Sequence, residues 1–149
     1  MRKRISNKNR KGFTMMEIMA VLIIVGLLST VVTTTFLGKV KKAKVATTKT
    51  NLKKLHGAVQ SFKMDTDRYP DEDEGLYALI EEPADVSGWD SEGYIDATSI
   101  PLDGWKHEFI YQLYPDSGKP FVIISYGADG EPGGEEGTED ADLYSTDAE

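Results

Sequence analysis

The side chains with the most chemistry in them gather in two places. The first is the run from Tyr126 to Asp142, where Asp129, Glu131, Glu135, Glu136, Glu139, Asp140 and Asp142 are interleaved with Gly127, Gly130, Gly133, Gly134 and Gly137. Like charges repel, glycine loses much backbone entropy on ordering, and apolar groups are scarce, so by composition this run is a disordered tail. A hard cation offers the same residues another use. Calcium takes about six to eight oxygens from carboxylates and backbone carbonyls, and glycine lets the chain turn its carbonyls inward. The spacing is not that of an EF-hand: neither this stretch nor Asp65-Thr66-Asp67 or Asp71-Glu72-Asp73 completes the loop with its terminal bidentate glutamate. Both uses stay open on composition.

The second place is Glu17, the lone acid of a tract that is otherwise apolar or small-polar from Phe13 to Leu37. An unpaired carboxylate inside a bilayer costs about 2.5–3.5 kcal/mol on insertion scales. Near a helix end it either reaches back to the interface or meets a cation held in the same apolar surroundings. Elsewhere the catalytic vocabulary is thin. There is no cysteine, which removes thiolate nucleophiles, disulfides and sulfur-ligated metals. His56 and His107 have no neighbouring nucleophile and no zinc spacing, and no glycine-rich phosphate loop with its lysine occurs. An enzyme is not expected.

These residues must be positioned by a chain of 149 residues and 16.5 kDa, enough for one modest domain and an appendage. Charge divides it into zones. Arg2, Lys3, Arg4, Lys8, Arg10 and Lys11 make residues 1–12 wholly basic, and eight lysines with no acid lie between Ile18 and Met64. From Asp65 onward 24 acids face only Arg68, Lys106 and Lys119. A head so acidic is repelled by phosphates, so nucleic acid is not an expected partner. The stem lysines Lys39, Lys41, Lys42, Lys44, Lys49, Lys53 and Lys54 suit a solvated face, phospholipid head groups or a neighbouring acidic head.

Phe13–Leu37 is long enough to span a bilayer as a helix, which needs about 20 apolar residues. A basic start and an apolar run also describe a cleaved signal peptide. This run is too long for one, however, and continues past Leu37 without a proline or polar loop. Over 38–64 the helix turns amphipathic, with Leu52, Leu55, Val59 and Phe62 on one face against a core. One helix from Phe13 to about Met64 would measure roughly 75–80 Å. Gly26 and Gly38 are its weak points, each costing about 1 kcal/mol against alanine. Tyr69-Pro70 ends it, and residues 65–149 form a head. There Gly75–Ile80 is a short helix turning Leu76, Leu79 and Ile80 inward, and Trp89 and Tyr94 pin an irregular segment. Phe109–Leu113 and Phe121–Tyr126, joined through Pro115-Asp116-Ser117-Gly118, make a hairpin. The expected fold is α+β: a long N-terminal helix, transmembrane in its first half, packed against a small antiparallel sheet.

Gly12-Phe13-Thr14-Met15-Met16-Glu17 after a short basic leader resembles the prepilin peptidase site of type IV pilins and type II secretion pseudopilins. Tyr69-Pro70, Glu74-Gly75-Leu76, Pro101-Leu102-Asp103-Gly104-Trp105, Gly127-Ala128-Asp129-Gly130 and Asp140-Ala141-Asp142 extend the likeness, over nearly the whole chain, to the major pseudopilins of type II secretion systems. The resemblance implies a type IV pilin-like fold and cleavage by prepilin peptidase between Gly12 and Phe13, with N-methylation of Phe13. It pairs Glu17 with the terminal ammonium of an adjacent copy. It places calcium in the loop 126–142, held by the side chains of Asp129, Asp140 and Asp142 and the backbone oxygens of Tyr126 and Glu131.

The implied role is a homopolymer, a periplasmic pseudopilus built from an inner-membrane, single-pass precursor with a periplasmic head. Its implied partners are minor pseudopilins, membrane lipid, and the inner-membrane assembly platform with its ATPase. The chain departs from the family at Thr34, where a proline is usual, at Gly104, which loosens the loop that a proline stiffens, and at Leu143-Tyr144-Ser145. A surface-fibre type IV pilin for adhesion or motility shares the N-terminal features. A membrane-tethered calcium-binding adaptor that never polymerises would keep its leader.

Overall fold

The computed structural model of the chain describes residues 12–116 and 118–147, and within these the side chains at 30–35 lie outside the described set. Apart from Gly12, the basic leader lies outside the described residues. A single helix, α1, runs Met15–Thr66 over 52 residues, uninterrupted at Gly26 and Gly38. By contacts the chain divides into Met1–Lys39 and Val40–Glu149.

In the first unit α1 is apolar on every side, and its large side chains are exposed, Met15 at 89% and Leu27 at 67%. A helix hydrophobic all round belongs in lipid or among other helices. Among the described residues no helix is long and apolar enough to cross a membrane. The tract expected to do so includes residues 30–35, so part of that expectation falls outside the described side chains.

In the second unit the same helix has one buried face. Leu52, Leu55, Val59 and Phe62 are fully enclosed, as their spacing predicts, and Thr48 joins them. At roughly 1.5–3 kcal/mol per large apolar side chain, this stripe is a main source of stability in the head. The helix ends where Asp67 adopts a left-handed φ of 60°, ahead of Tyr69-Pro70. The short helix expected next is 3-10 in form, Gly75–Leu79; it buries Leu76 and Leu79 and leaves Ile80 half-buried. Trp89 donates its indole N–H to the Ala78 carbonyl at 2.9 Å, and Tyr94 lies edge-on to Phe62 at 5.5 Å, so both aromatics act as anchors.

The hairpin is β1 (Ile110–Leu113) and β2 (Phe121–Ser125), antiparallel, with Tyr111 opposite Ile123. All five β2 residues are buried, hence the unbroken apolar run. A third strand, β3 (Leu143–Tyr144), pairs antiparallel on the far side of β2, giving the order β1-β2-β3. Its neighbour Ser145 is buried. The Ser145 hydroxyl accepts from the Ile123 N–H at 3.1 Å and lies 3.2 Å from His56 Nδ1, tying the C-terminal segment to β2 and α1.

The segment after Pro101 differs from expectation. Gly104 does not loosen its loop. A β-carbon there would lie 2.3 Å from the Lys44 carbonyl oxygen, so the loop lies directly on the helix backbone, and the Gly104 N–H donates to the Thr48 hydroxyl at 2.9 Å. Buried Asp103 completes the clamp. It accepts from the N–H groups of Trp105 and His107 at 2.8 and 2.9 Å and from the Ser125 hydroxyl at 2.7 Å.

Candidate functional site

Gly12 and Phe13 precede α1 in non-helical, exposed backbone, and among the described residues nothing would lie within 4 Å of a β-carbon at Gly12. Thr14 is the N-cap. Its hydroxyl accepts from the Glu17 N–H at 3.2 Å, while Glu17 Oε2 accepts from the Thr14 N–H at 3.4 Å. This reciprocal pair is a capping box, Thr-x-x-Glu, which occupies two of the donors a helix start leaves unpaired. The signature was present in the sequence. Glu17 therefore has a second role beside the one its isolation suggested: its charge sits at the positive end of its own helix dipole, a favourable place for a carboxylate.

The acidic loop is folded against itself. Gly127, in a left-handed conformation at φ 68°, is buried, and a β-carbon there would lie 2.5 Å from the Glu139 carbonyl; at Gly134 it would lie 2.0 Å from that of Asp140. Through these close approaches the two ends of the loop run side by side. The Ala128 N–H donates to the Glu139 carbonyl at 2.8 Å and the Asp142 N–H to that of Gly133 at 3.1 Å. Composition described a tail; backbone contacts make it a loop. His107 supports it from below, with Nδ1 3.0 Å from the Gly127 carbonyl and its ring against Gly130. Lys41 on α1 reaches across to Glu139 at 2.6 Å. Hydrogen bonding first and charge second hold the Lys41 ammonium above its usual pKa.

The five expected ligands are spread along this loop. Asp129 Oδ1 accepts from the Glu131 N–H at 3.1 Å, so its carboxylate caps its own turn. Both oxygens of Asp142 accept from the Gly133 N–H at 3.1 Å, and Tyr144 donates its hydroxyl to Oδ2 at the same distance. Asp140, Asp129 and Glu131 are exposed, and Tyr126 is half-buried. Among the described residues no three acids or histidines are gathered closely enough to hold a metal. The donor set itself, carboxylate and carbonyl oxygen with no nitrogen or sulfur, suits a hard cation, and 126–131 already lies against 139–142.

Sequence reading missed three contributors: Thr14 of the capping box, Asp103, which braces the loop through His107, and Lys41. Asp103 and Lys41 left no local signal, because Ser125 and Glu139 are far away along the chain.

Residues 35–146 match the sequence profile described as type II secretion system (T2SS), protein G, and residues 7–33 match the prokaryotic N-terminal methylation motif. Similar relatives include the type II secretion system core protein G of Pseudomonas aeruginosa, 34% identical over 139 residues, covering 91% of this chain and 94% of that one. That of Vibrio cholerae is 33% identical over 130 residues, covering 86% and 87%. The crystal structure of the major pseudopilin from the type 2 secretion system of enterohaemorrhagic Escherichia coli superposes with a TM-score of 0.59 at 27% identity, covering 72% of this chain and 90% of that one. On these matches, and on the helix, sheet and N-terminal motif they share, the chain belongs to the type II secretion system protein G family.

Proposed function

We propose that the chain is the repeating subunit of a periplasmic pseudopilus in a type II secretion system, a structural protein whose activity is its own polymerisation. It is inserted in the inner membrane by Phe13–Leu37, cleaved after Gly12, methylated on Phe13 and packed helix to helix with other copies and minor pseudopilins. The platform ATPase supplies the energy. The observation that carries this reading is the apolar first half of α1, exposed at every described side chain and carrying a single carboxylate at its start. Such a surface is stable only against lipid or sister helices. Within that bundle the Phe13 ammonium of one copy neutralises Glu17 of the next, and removing either partner strands a buried charge at a cost of about 3–5 kcal/mol.

Electron microscopy of cells overproducing the chain with the secretion machinery should show filaments. Mass spectrometry of the mature protein should find a methylated Phe13. An intact Met1 refutes processing and supports a tethered adaptor. Glu17→Gln should abolish filaments and export while leaving the melting of the head unchanged; full assembly by this variant would refute the ion pair.

The acidic loop takes calcium in this reading, through Asp129, Asp140 and Asp142 with the carbonyls of Tyr126 and Glu131. The ion would supply the positive charge that lets these oxygens converge. Binding only the folded state, it should raise the melting temperature of the full chain in proportion to the logarithm of its concentration. Asp140→Ala should lose that response and keep the calcium-free melting point. A wild-type melting curve indifferent to calcium would end this part of the proposal.

A further inference from the structure

A cleft of ≈ 570 Å³ opens on the head between the 3-10 helix Gly75–Leu79, the acidic turn before it, the loop after Ser99 and the outer edge of β1. Tyr77, Leu102 and Ile110 line it at 60%, 39% and 37% exposure. Among the described residues they are three of the four large hydrophobic side chains left exposed in the head, Tyr114 being the other. Clustering of this kind marks a contact surface. The rim is acidic: Glu72, Asp73 and Glu108 stand around the apolar floor, and none of them joins an ion pair among the described residues. An anionic lipid or a nucleic acid is repelled here; a cationic surface with aliphatic stems is attracted.

The chain carries such a surface itself. Away from the core-facing stripe of α1, Lys42, Ala46, Lys49, Lys53 and Gly57 follow one another at helical spacing, and all are exposed. No acid interrupts them. Lys42, Lys49 and Lys53 form no ion pair among the described residues. Ala46 and Gly57 are small enough for a protruding ring to lie between the lysines, whose methylenes can cover apolar surface while their ammonium groups reach the rim.

We propose that this cleft receives the lysine-bearing face of α1 from a second copy of the chain. The contact rests on the polymerisation reading and adds to it a docking surface on the head. Hydrophobic contact of Tyr77, Leu102 and Ile110 with the helix gives adhesion; the charges set which face is accepted and in what register.

The test uses the full chain expressed with its secretion machinery. The triple variant Glu72→Lys/Asp73→Lys/Glu108→Lys and the triple variant Lys42→Glu/Lys49→Glu/Lys53→Glu should each lose filaments while melting like wild type, and the two combined in one chain should regain them. Because the chain has no cysteine, Ser99→Cys, at the exposed edge of the cleft, with Ala46→Cys should give an oxidant-dependent ladder of linked copies without background. Wild-type filaments together with full assembly of the acid-to-lysine variant, or filaments of the cysteine pair that never cross-link, overturn the cleft contact. A combined variant that melts normally and stays unassembled also overturns it. Absence of filaments from wild type, with no ladder from the cysteine pair, instead removes the polymerisation reading underneath.

Discussion

Two stretches of one helix meet water in opposite ways. Met15–Leu37 turns apolar side chains in every direction and buries none of those described, whereas the stretch from Thr48 to Phe62 confines its burial to one stripe and sets lysines around the rest. The same backbone geometry serves both. What differs is the periodicity of the sequence: a stripe recurring every three or four residues assigns a helix to its own domain, while an unbroken apolar surface assigns it to something outside the chain. A domain core and an assembly surface are therefore distinguishable before any partner is known.

The sharpest way to break this contrast is a matched pair of truncations. Phe62→Ala should destabilise the head by about 3–5 kcal/mol in thermal or urea unfolding, because it opens a cavity in a fully enclosed site. Ile23→Ala, in the exposed stretch, should leave that transition where it is. Equal losses from both would abolish the distinction. Next in size is Gly104→Ala, whose β-carbon overlaps the Lys44 carbonyl and should cost about 1–3 kcal/mol by forcing the loop off the helix. A melting point equal to wild type would show that the clamp is dispensable.

Gly38→Ala meets no neighbour within 4 Å among the described residues and should strengthen α1 locally by about 1 kcal/mol. Amide hydrogen exchange around Gly38 should slow; unchanged exchange would mean that glycine is not a weak point. The smallest effect belongs to Glu74, which accepts from both terminal nitrogens of Arg68 at 2.7 and 2.6 Å. That hydrogen bonding holds the Glu74 carboxyl below its usual pKa and the Arg68 guanidinium above its own. A lowered carboxylate pKa contributes stability above the unfolded value and loses it as pH falls through the folded one. Glu74→Gln should thus cost less than ~1 kcal/mol near neutrality, with the gap to wild type closing in acid. A gap that widened in acid would refute the pairing.

Much of the fold was legible because it follows from spacing. The stripe Leu52, Leu55, Val59 and Phe62 announced the core contact, and the run Phe121–Tyr126 announced a hairpin strand, which the fold forms over Phe121–Ser125 and buries on both faces. β3 was not legible: two residues, Leu143 and Tyr144, carry no period, and only the open edge of β2 makes them a strand. The ordering of the acidic loop was hidden for a related reason. Composition records its repulsions, while its supports come from Lys41 and His107 elsewhere in the chain. At Gly104, replacement of a stiff residue by a permissive one suggested looseness; contact with the Lys44 backbone turned the missing side chain into a condition of tight packing. The Thr14–Glu17 signature stood in plain view, and the rarer feature, a lone acid in an apolar tract, drew attention from it.

That small N-terminal clasp changes how the acid's career can be pictured. A carboxylate already served by the amide of its own Thr14 need not wait bare for its neighbour. In the proposed assembly, recruitment becomes a hand-over, in which the incoming amine takes the place of an internal donor. The helix start then gives up one tie as the next copy arrives, so the timing of that exchange is written into a single turn.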